Sequence, residues 1–282
     1  MVSLKQLVHL LRLSHWSKSV FVFLGVIYSG AMNYLTFAFF AALSFSLISS
    51  AVYVYNDLHD RETDRLHPKK CFRPLAAEVI SPNEALWILC LLLVTGLFMA
   101  WLISTTLVAL QGIYLLVNLA YNHYLKKIPV LDVCCIASGF MLRVLAGTVG
   151  IGILISWWLI LAATLVSLLI ALCKRCLEKQ LNLQNETRVV LKKYSTTILS
   201  YLMIFTAVSC FIFYTVYILI VREESGYFLV TLPFVALGLG RFVWLSWNEE
   251  GNDDPISLCL TDSLSCFNLL CFSLITIAAS IK

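Results

Sequence analysis

Long apolar runs recur along almost all of this 282-residue chain, and they limit its possible folds more than any motif does. Hydrophobic residues make up 60% of the sequence and charged residues only 13%. A soluble domain cannot bury this much apolar surface, whereas a run of about 20 apolar residues is what an α-helix needs to cross a bilayer. The sequence therefore predicts an all-α, polytopic membrane protein.

Nine segments have the length and hydropathy expected of membrane-spanning helices. They cover residues 20–33, 36–56, 84–102, 105–123, 131–149, 154–173, 196–220, 227–245 and 258–280. We expect these helices to form a single transmembrane domain over residues 1–282. Its longest charged loops lie at 56–78 and 173–194, after the second and sixth spans, so their positions also indicate two structural halves.

The basic residues are distributed unevenly between the two sides of these spans. With the N-terminus inside, most of the 20 lysines and arginines fall in segments on the inside. Basic residues mark the cytoplasmic side of membrane proteins. We therefore expect a multi-pass protein of the inner (cytoplasmic) membrane, with its N-terminus and charged loops in the cytoplasm. The bilayer accounts for the pI of about 8.5 without a nucleic-acid partner.

The 10 cysteines lie almost all singly within apolar runs, where cysteine packs as a small hydrophobic residue. Cys173 and Cys176 form a C-x-x-C pattern, but a second pair that could complete a zinc site is missing from the sequence. We therefore favour packing over a metal or redox role for these two residues.

The second span is followed at once by a group of acids. Asn56 and Asp57 begin it, and Asp60 and Asp64 follow at spacings that place the three carboxylates on one stripe of a continuing helix. Clustered carboxylates repel one another unless a cation lies among them, and hard oxygen ligands suit Mg²⁺. The alternative is a solvated cap in which these acids pair with Arg61 and neighbouring bases.

A basic group follows the acids directly, in the sequence H-P-K-K-C-F-R-P from His67 to Pro74. Its two prolines exclude a continuous helix, so Lys69 and Arg73 lie on a stiffened loop that can fold back towards the acids. Carboxylates that hold Mg²⁺, faced by lysine and arginine, can bind a diphosphate and stabilise it as a leaving group.

The acidic pattern N-D-x-x-D-x-x-x-D resembles the first Asp-rich motif of the UbiA superfamily of intramembrane prenyltransferases. This resemblance implies a nine-helix bundle that binds a Mg²⁺-diphosphate beneath a cytoplasmic cap. The stretches 64–77 and 131–147 are similar to the decaprenyl-phosphate phosphoribosyltransferase branch, whose members use phosphoribosyl diphosphate (PRPP) and a polyprenyl phosphate. The chain departs from that branch at Cys71, Ser263 and Glu78, the last of which stands where glycine is usual.

Further charged residues are candidates for the same site. Lys174, Arg175 and Glu178 replace the second Asp-rich motif of aromatic prenyltransferases, although a Lys174–Glu178 ion pair within one helix explains them equally well. The resemblance favours Lys126 and Asp132 as residues of the polar cavity. Arg143 lies within a predicted span, where an arginine is costly, so we expect a structural or lipid-phosphate contact there.

The residues and the resemblance together favour one reaction over two alternatives. We expect Asp57, Asp60 and Asp64 to hold Mg²⁺ on the diphosphate of PRPP while a polyprenyl phosphate accepts the phosphoribose. The first alternative is transfer of a polyprenyl group from its diphosphate to an aromatic acceptor such as 4-hydroxybenzoate. The second is a non-enzymatic ion or lipid transporter, whose polar residues should extend through several spans.

Overall fold

The computed structural model describes residues 4–66, 70–185, 194–221, 226–248 and 254–281. Within these ranges all regular secondary structure is helical, as the sequence predicts. The α-helices are α1 (Leu4–Leu11), α2 (Leu24–Ser29), α3 (Leu35–His59), α4 (Arg61–Arg65), α5 (Pro82–Ile103), α6 (Thr105–His123), α7 (Leu131–Ala146), α8 (Trp157–Asn185), α9 (Thr196–Val221), α10 (Leu232–Asn248), α11 (Pro255–Thr261) and α12 (Ser263–Ile281). Short 3₁₀ segments lie between some of them, the longest at Leu13–Phe23.

The number of membrane-spanning helices differs from the prediction. Among the described residues, 6 helices are long and apolar enough to cross a membrane, or up to 8 if each of two bent helix pairs is one span. The bent pairs lie at the two ends of the chain, with angles of 46° and 88°. The prediction of nine spans is therefore wrong.

The difference arises at the predicted fourth span. Residues 105–123 do form a helix, α6, but it is only 19 residues long and carries several amide and hydroxyl groups. Gln111, Tyr114 and Asn122 are buried in the structure, which explains why a helix this polar is stable there. Its polarity keeps α6 below the hydropathy expected of a spanning helix.

The chain divides into two compact units. Unit 1 comprises Met1–Val26, Ala31–Asn122 and Leu142–Leu154, and unit 2 comprises Ile27–Gly30, His123–Met141 and Ile155–Lys282. The division falls mainly after α6, close to the boundary that the positions of the charged loops indicate. A single domain over residues 1–282 stays a prediction.

Unit 1 is built on α3, which packs along α5 and against the 3₁₀ segment at Leu13–Phe23. Two glycines permit a close approach of the N-terminal segment to the end of α7. A Cβ atom at Gly147 would lie 1.6 Å from the carbonyl oxygen of Val22, and one at Gly25 would lie 2.3 Å from the carbonyl oxygen of Gly147. Any side chain at Gly147 would therefore displace the segment that precedes α3.

Unit 2 has its own core, formed where α8 packs on α9 and α10. Leu172, Met203 and Val243 lie in this core. Cys173 and Cys176 are both buried in the same core, as the packing interpretation predicts.

Glu78 adopts a backbone conformation that favours glycine. Its φ angle is +58°, in the left-handed region, where a side chain costs roughly 1 kcal/mol. The Glu78 carboxylate is exposed and contacts Arg65. An exposed ion pair contributes little to stability, so it does not offset the backbone strain.

We therefore expect Glu78→Gly to raise the apparent melting temperature of the detergent-solubilised protein. Glu62→Gly is the matched control, because Glu62 is also exposed and pairs with Arg65, but it lies within α4, where glycine destabilises a helix by about 1 kcal/mol. A thermal unfolding assay compares the two variants with the wild type. If Glu78→Gly lowers the melting temperature as much as Glu62→Gly does, the ion pair outweighs the strain.

Candidate active site

The predicted acidic stripe lies where α3 ends and α4 begins. Asp57 lies on the last turn of α3, and Asp64 lies on α4. Asp60 is the residue between the two helices, with φ −90° and ψ 7°, and its carbonyl oxygen accepts a hydrogen bond from the backbone N–H of Asp64. The helical path therefore continues through Asp60 with one local break. Asp57 and Asp64 are buried, with relative exposures of 2% and 4%, and Asp60 is half-buried.

Arg73 contacts both buried acids. Its Nη1 atom lies 3.1 Å from Oδ1 of Asp57 and 2.6 Å from Oδ2 of Asp64. Lys70 Nζ lies 4.0 Å from the other oxygen of Asp64. The loop that carries these bases thus folds back onto the acids. Lys69, the other predicted base of this loop, lies outside the described residues.

A second arginine reaches the acids from the N-terminal segment. Arg12 Nη2 lies 2.6 Å from Oδ1 of Asp57, and its guanidinium lies 4.7 Å from the ring centroid of Tyr53. Arg12 is not among the residues predicted for the site. The signal that could have revealed it is the polar sequence R-L-S-H-W-S-K, Arg12 to Lys18, directly before an apolar run.

The acids offer the donor chemistry that a divalent cation requires. One cationic nitrogen of Arg73 contacts both Asp57 and Asp64, so a single cation can bridge the two carboxylates. Their oxygens are hard ligands of the kind that Mg²⁺ binds together with water and substrate phosphates. Within the described ranges, three or more His, Cys, Asp or Glu side chains do not gather closely enough to hold a metal alone. A metal here would complete its coordination with other ligands.

Asn56 is positioned from α6. Its side-chain oxygen accepts a hydrogen bond from the amide of the buried Asn122. Both residues belong to unit 1. The buried polar residues of α6 thus include one that orients the first member of the acidic motif.

Arg175 and Glu178, predicted residues of the second charged loop, form a cluster with Asp132 in unit 2. Arg175 is fully buried, with 0% relative exposure, and its Nε atom lies 2.9 Å from Oδ2 of Asp132. Its Nη1 atom also contacts Glu178, three residues along α8. Glu178 therefore pairs with Arg175, and the guanidinium of this candidate site residue is held between two carboxylates. Lys126 and Lys174 also belong to unit 2 and are half-buried.

Tyr194 extends this second cluster. Its hydroxyl donates a hydrogen bond to Oδ1 of Asp132 and accepts one from the backbone N–H of Val130, at 2.8 Å. Burial, reinforced by the hydrogen bond to Asp132, raises the pKa of Tyr194 to about 12. The hydroxyl therefore stays protonated at neutral pH and remains a donor to Asp132. The neighbouring bases Arg188, Lys192 and Lys193 lie outside the described residues.

Arg143 lies in the interior of unit 1 and is buried. Its Nη2 atom donates a hydrogen bond to Oγ of Ser49 at 2.8 Å. Its guanidinium lies 4.9 Å from the ring centroid of Phe45 and 5.2 Å from that of Tyr114. Hydroxyl and aromatic contacts of this kind stabilise a buried cation and join α7 to α3 and α6. They support the structural interpretation of Arg143.

Comparisons with known proteins show which family the chain belongs to. The chain matches the UbiA prenyltransferase family over residues 19–270. It is 31% identical over 231 residues to the decaprenyl-phosphate phosphoribosyltransferase of Mycolicibacterium smegmatis, which covers 77% of this chain and 73% of the relative. It is 33% identical over 227 residues to the enzyme of the same name from Mycobacterium tuberculosis, covering 77% of this chain and 74% of the relative.

The fold is also similar to solved structures. A UbiA homologue from Archaeoglobus fulgidus, solved with GPP and Mg²⁺ bound, superposes with a TM-score of 0.69 at 18% sequence identity, over 98% of each chain. At this identity the likeness concerns the fold alone. The family match and the curated relatives identify the chain as an integral, multi-pass transferase that belongs to the UbiA prenyltransferase family.

Proposed function

We propose that the protein transfers 5-phosphoribose from PRPP to a polyprenyl phosphate and releases diphosphate, in a reaction that requires Mg²⁺. The names of the relatives at about 30% identity support the choice of donor and acceptor. The observation that carries the proposal is the contact of Arg73 with both Asp57 and Asp64. It supports the proposal because a guanidinium and two carboxylates of the kind that bind Mg²⁺ lie close enough together to act on one diphosphate.

Each part of this cluster has a distinct role in the proposal. Asp57 and Asp64, with Asp60 beside them, would hold Mg²⁺, which would neutralise charge on the diphosphate. Arg73 and Lys69 would bind oxygens of the diphosphate, and Lys70 lies close enough to Asp64 to assist. Preorganised cations at the position where negative charge develops are among the largest contributions to catalysis.

The reaction is a substitution at C1 of the ribose. An oxygen of the acceptor phosphate donates a lone pair to C1, and the bond from C1 to the diphosphate oxygen breaks with its electron pair on the diphosphate. The acceptor phosphate is already ionised at neutral pH, so the reaction needs no general base. Stabilisation of the leaving group is then the main contribution of the protein, and here it would come from Arg73 and from the cation that the acids would hold.

We further propose that the charged end of α3 faces the cytoplasm in an inner membrane. The distribution of basic residues supports this orientation. PRPP is a water-soluble, highly charged donor, and the acids and Arg73 lie at one polar end of an otherwise apolar helix. The polyprenyl tail would remain in the bilayer while its phosphate reaches the polar end.

The proposed reaction predicts transfer of label into lipid. Purified protein incubated with Mg²⁺, a polyprenyl phosphate and radiolabelled PRPP should yield labelled lipid in the organic phase, and omission of the lipid should abolish the signal. A protein that leaves the lipid unlabelled but prenylates 4-hydroxybenzoate from a polyprenyl diphosphate would refute the proposal in favour of the aromatic prenyltransferase. A protein inactive in both assays that moves Mg²⁺ across vesicles would favour the transporter.

The metal assignment predicts a specific defect for Asp64→Asn. Loss of this ligand should lower kcat by at least about a hundredfold and shift the Mg²⁺ titration of activity to higher concentration. Glu62→Gln is the matched control, because Glu62 lies on the same helix, is exposed and pairs with Arg61 at 2.6 Å. The hydrogen bond from Arg61 lowers the pKa of Glu62, so the control also removes a negative charge.

Activity should be measured across a series of Mg²⁺ concentrations, with the size-exclusion profile of each variant as a check on folding. The activity of Glu62→Gln should depend on Mg²⁺ concentration as that of the wild type does. An Asp64→Asn protein that folds and keeps the wild-type Mg²⁺ dependence would remove Asp64 from the metal site.

A further inference from the structure

A second polar group lies beside the acids, where the N-terminal segment packs on α3. His15 Nδ1 lies 3.1 Å from the hydroxyl of Tyr53, and Lys18 Nζ lies 3.3 Å from the same nitrogen. The His15 and Tyr53 rings meet edge to face, with centroids 5.2 Å apart. We refer to these three residues as the Lys18 group. None of the three is among the residues predicted for the site.

The location of Lys18 makes it unusual. Its side chain is 6% exposed, and it lies in an apolar segment that forms part of a candidate membrane span. A lysine at such a position is costly, and ionisable residues within membrane spans commonly mark a binding site or a transport path. Its burial is built into the packing of unit 1, because the neighbouring Ser19 hydroxyl bonds that of Ser46 on α3 at 2.7 Å.

The segment around Lys18 is also fixed on its other side. Trp16 Nε1 donates to Oγ of Ser50 at 3.0 Å, and that hydroxyl donates to the carbonyl oxygen of Leu11 at 2.7 Å. Hydrogen bonds on both sides of Lys18 therefore hold the segment against two successive turns of α3. Groups held in this way bind a ligand with little loss of conformational entropy.

The chemistry of the Lys18 group suits an anion rich in acceptor oxygens. An ammonium can only donate, so Nδ1 of His15 is the acceptor in its contact with Lys18, and the imidazole proton lies on Nε2. An Nδ1 without a proton also accepts the hydrogen bond from the Tyr53 hydroxyl, so Tyr53 orients the imidazole, and the group presents ammonium and imidazole N–H donors. A phosphate monoester carries negative charge and acceptor oxygens that match both kinds of donor.

The position of the group separates it from the metal-binding acids. Tyr53 precedes Asp57 by four residues on α3, which is about 6 Å along the helix axis. Arg12 connects the two sites, because its guanidinium lies over the Tyr53 ring and contacts Asp57. The Lys18 group thus lies one turn farther along α3 from the polar end, towards the apolar part of the span.

We propose that the Lys18 group binds the phosphate of the polyprenyl phosphate acceptor. The inference rests on the proposed function for the identity of the lipid, and on the structure for the place and chemistry of the phosphate. A phosphate joined to a membrane-embedded tail reaches the site from the apolar side, where Lys18 lies, whereas the diphosphate of a soluble donor reaches Asp57 from the polar end. One turn of α3 then separates acceptor from leaving group, and the ribose lies between them.

Kinetics with both substrates test this assignment. Lys18→Gln should raise the KM for polyprenyl phosphate at least about tenfold, which is the loss of one charge-assisted contact, and should leave the KM for PRPP within about twofold of the wild type. Tyr53→Phe removes only a hydroxyl and should raise the lipid KM by a smaller factor. Lys127→Gln, which removes an exposed lysine of unit 2, is the control and should change neither KM.

Direct binding separates this inference from the proposed function. Farnesyl phosphate in detergent is titrated with protein and followed by ³¹P NMR, with inorganic phosphate as a second probe. The wild type should bind farnesyl phosphate, and Lys18→Gln should bind it at least about tenfold more weakly. Lysine-dependent binding by a wild type that transfers no phosphoribose would support the site while the proposed reaction fails.

Three results would overturn the assignment. A rise in the KM for PRPP alone would indicate that the Lys18 group binds the 5-phosphate of PRPP instead. If a folded Lys18→Gln protein has the wild-type KM for polyprenyl phosphate and binds farnesyl phosphate as the wild type does, Lys18 contributes only to packing. Equal binding of inorganic phosphate and farnesyl phosphate by the wild type would show that the group does not recognise the lipid. If Lys18→Gln fails to fold, Tyr53→Phe gives the same comparison.

Discussion

The contacts that Arg73 makes with Asp57 and Asp64 are the interaction on which unit 1 depends. Two carboxylates with 2% and 4% exposure stand at the end of a long apolar helix, and burial of an unpaired charge costs several kcal/mol. Arg73 compensates the negative charge of both carboxylates, and Arg12 adds a second ion pair to Asp57. The same ion pairs that make the burial tolerable also join three separate stretches of chain. Folding and the candidate active site therefore depend on one set of charges.

The place of the N-terminal segment depends in turn on close backbone packing elsewhere in unit 1. Gly147 allows the carbonyl of Val22 to approach where any Cβ atom would clash. Val22 belongs to the same 3₁₀ segment as Lys18 and follows Arg12 by ten residues. A side chain at Gly147 would therefore disturb residues that contact the acids, although Gly147 itself lies far along the sequence from them. Small residues at such crossings are a common feature of packed membrane helices.

The sequence predicted much of the fold because hydropathy is a local property. The helices α3, α5, α8 and α9 each overlap a predicted span. The number of spans was wrong because the polar residues of α6 lower its hydropathy, and the two ends of the chain differ further because a single residue separates two helices in each bent pair. Arg12 has φ +50° and separates α1 from the next segment. The side chain of Asp262 accepts a hydrogen bond from the backbone N–H of Ser265, so α12 begins after a sharp bend. A window average over about 20 residues does not detect a break made by a single cap.

The sequence predicted those residues of the candidate site that lie close together in the chain, but not those that lie far apart. Asp57, Asp64 and Arg73 lie within 17 consecutive residues, and their residue types alone suggest how they combine. Arg12 lies 45 residues from Asp57, and this distance in sequence hid the contact. In unit 2 the spacing of Lys174 and Glu178 suggested one ion pair, whereas Glu178 contacts Arg175, because i,i+3 and i,i+4 neighbours compete for the same carboxylate.

The balance of charge around Asp57 implies that metal and diphosphate bind together in the proposed reaction. Two carboxylates and the guanidinium groups of Arg12 and Arg73 neutralise one another in the structure. A divalent cation that entered alone would compete with both arginines and leave them without compensation in a half-buried site. A diphosphate that entered alone would draw the arginines away and leave the buried acids unpaired. If both bound, Mg²⁺ held by Asp57 and Asp64 would supply the positive charge that the acids need, and Arg12 and Arg73 would contact the diphosphate, so each ligand would favour the other.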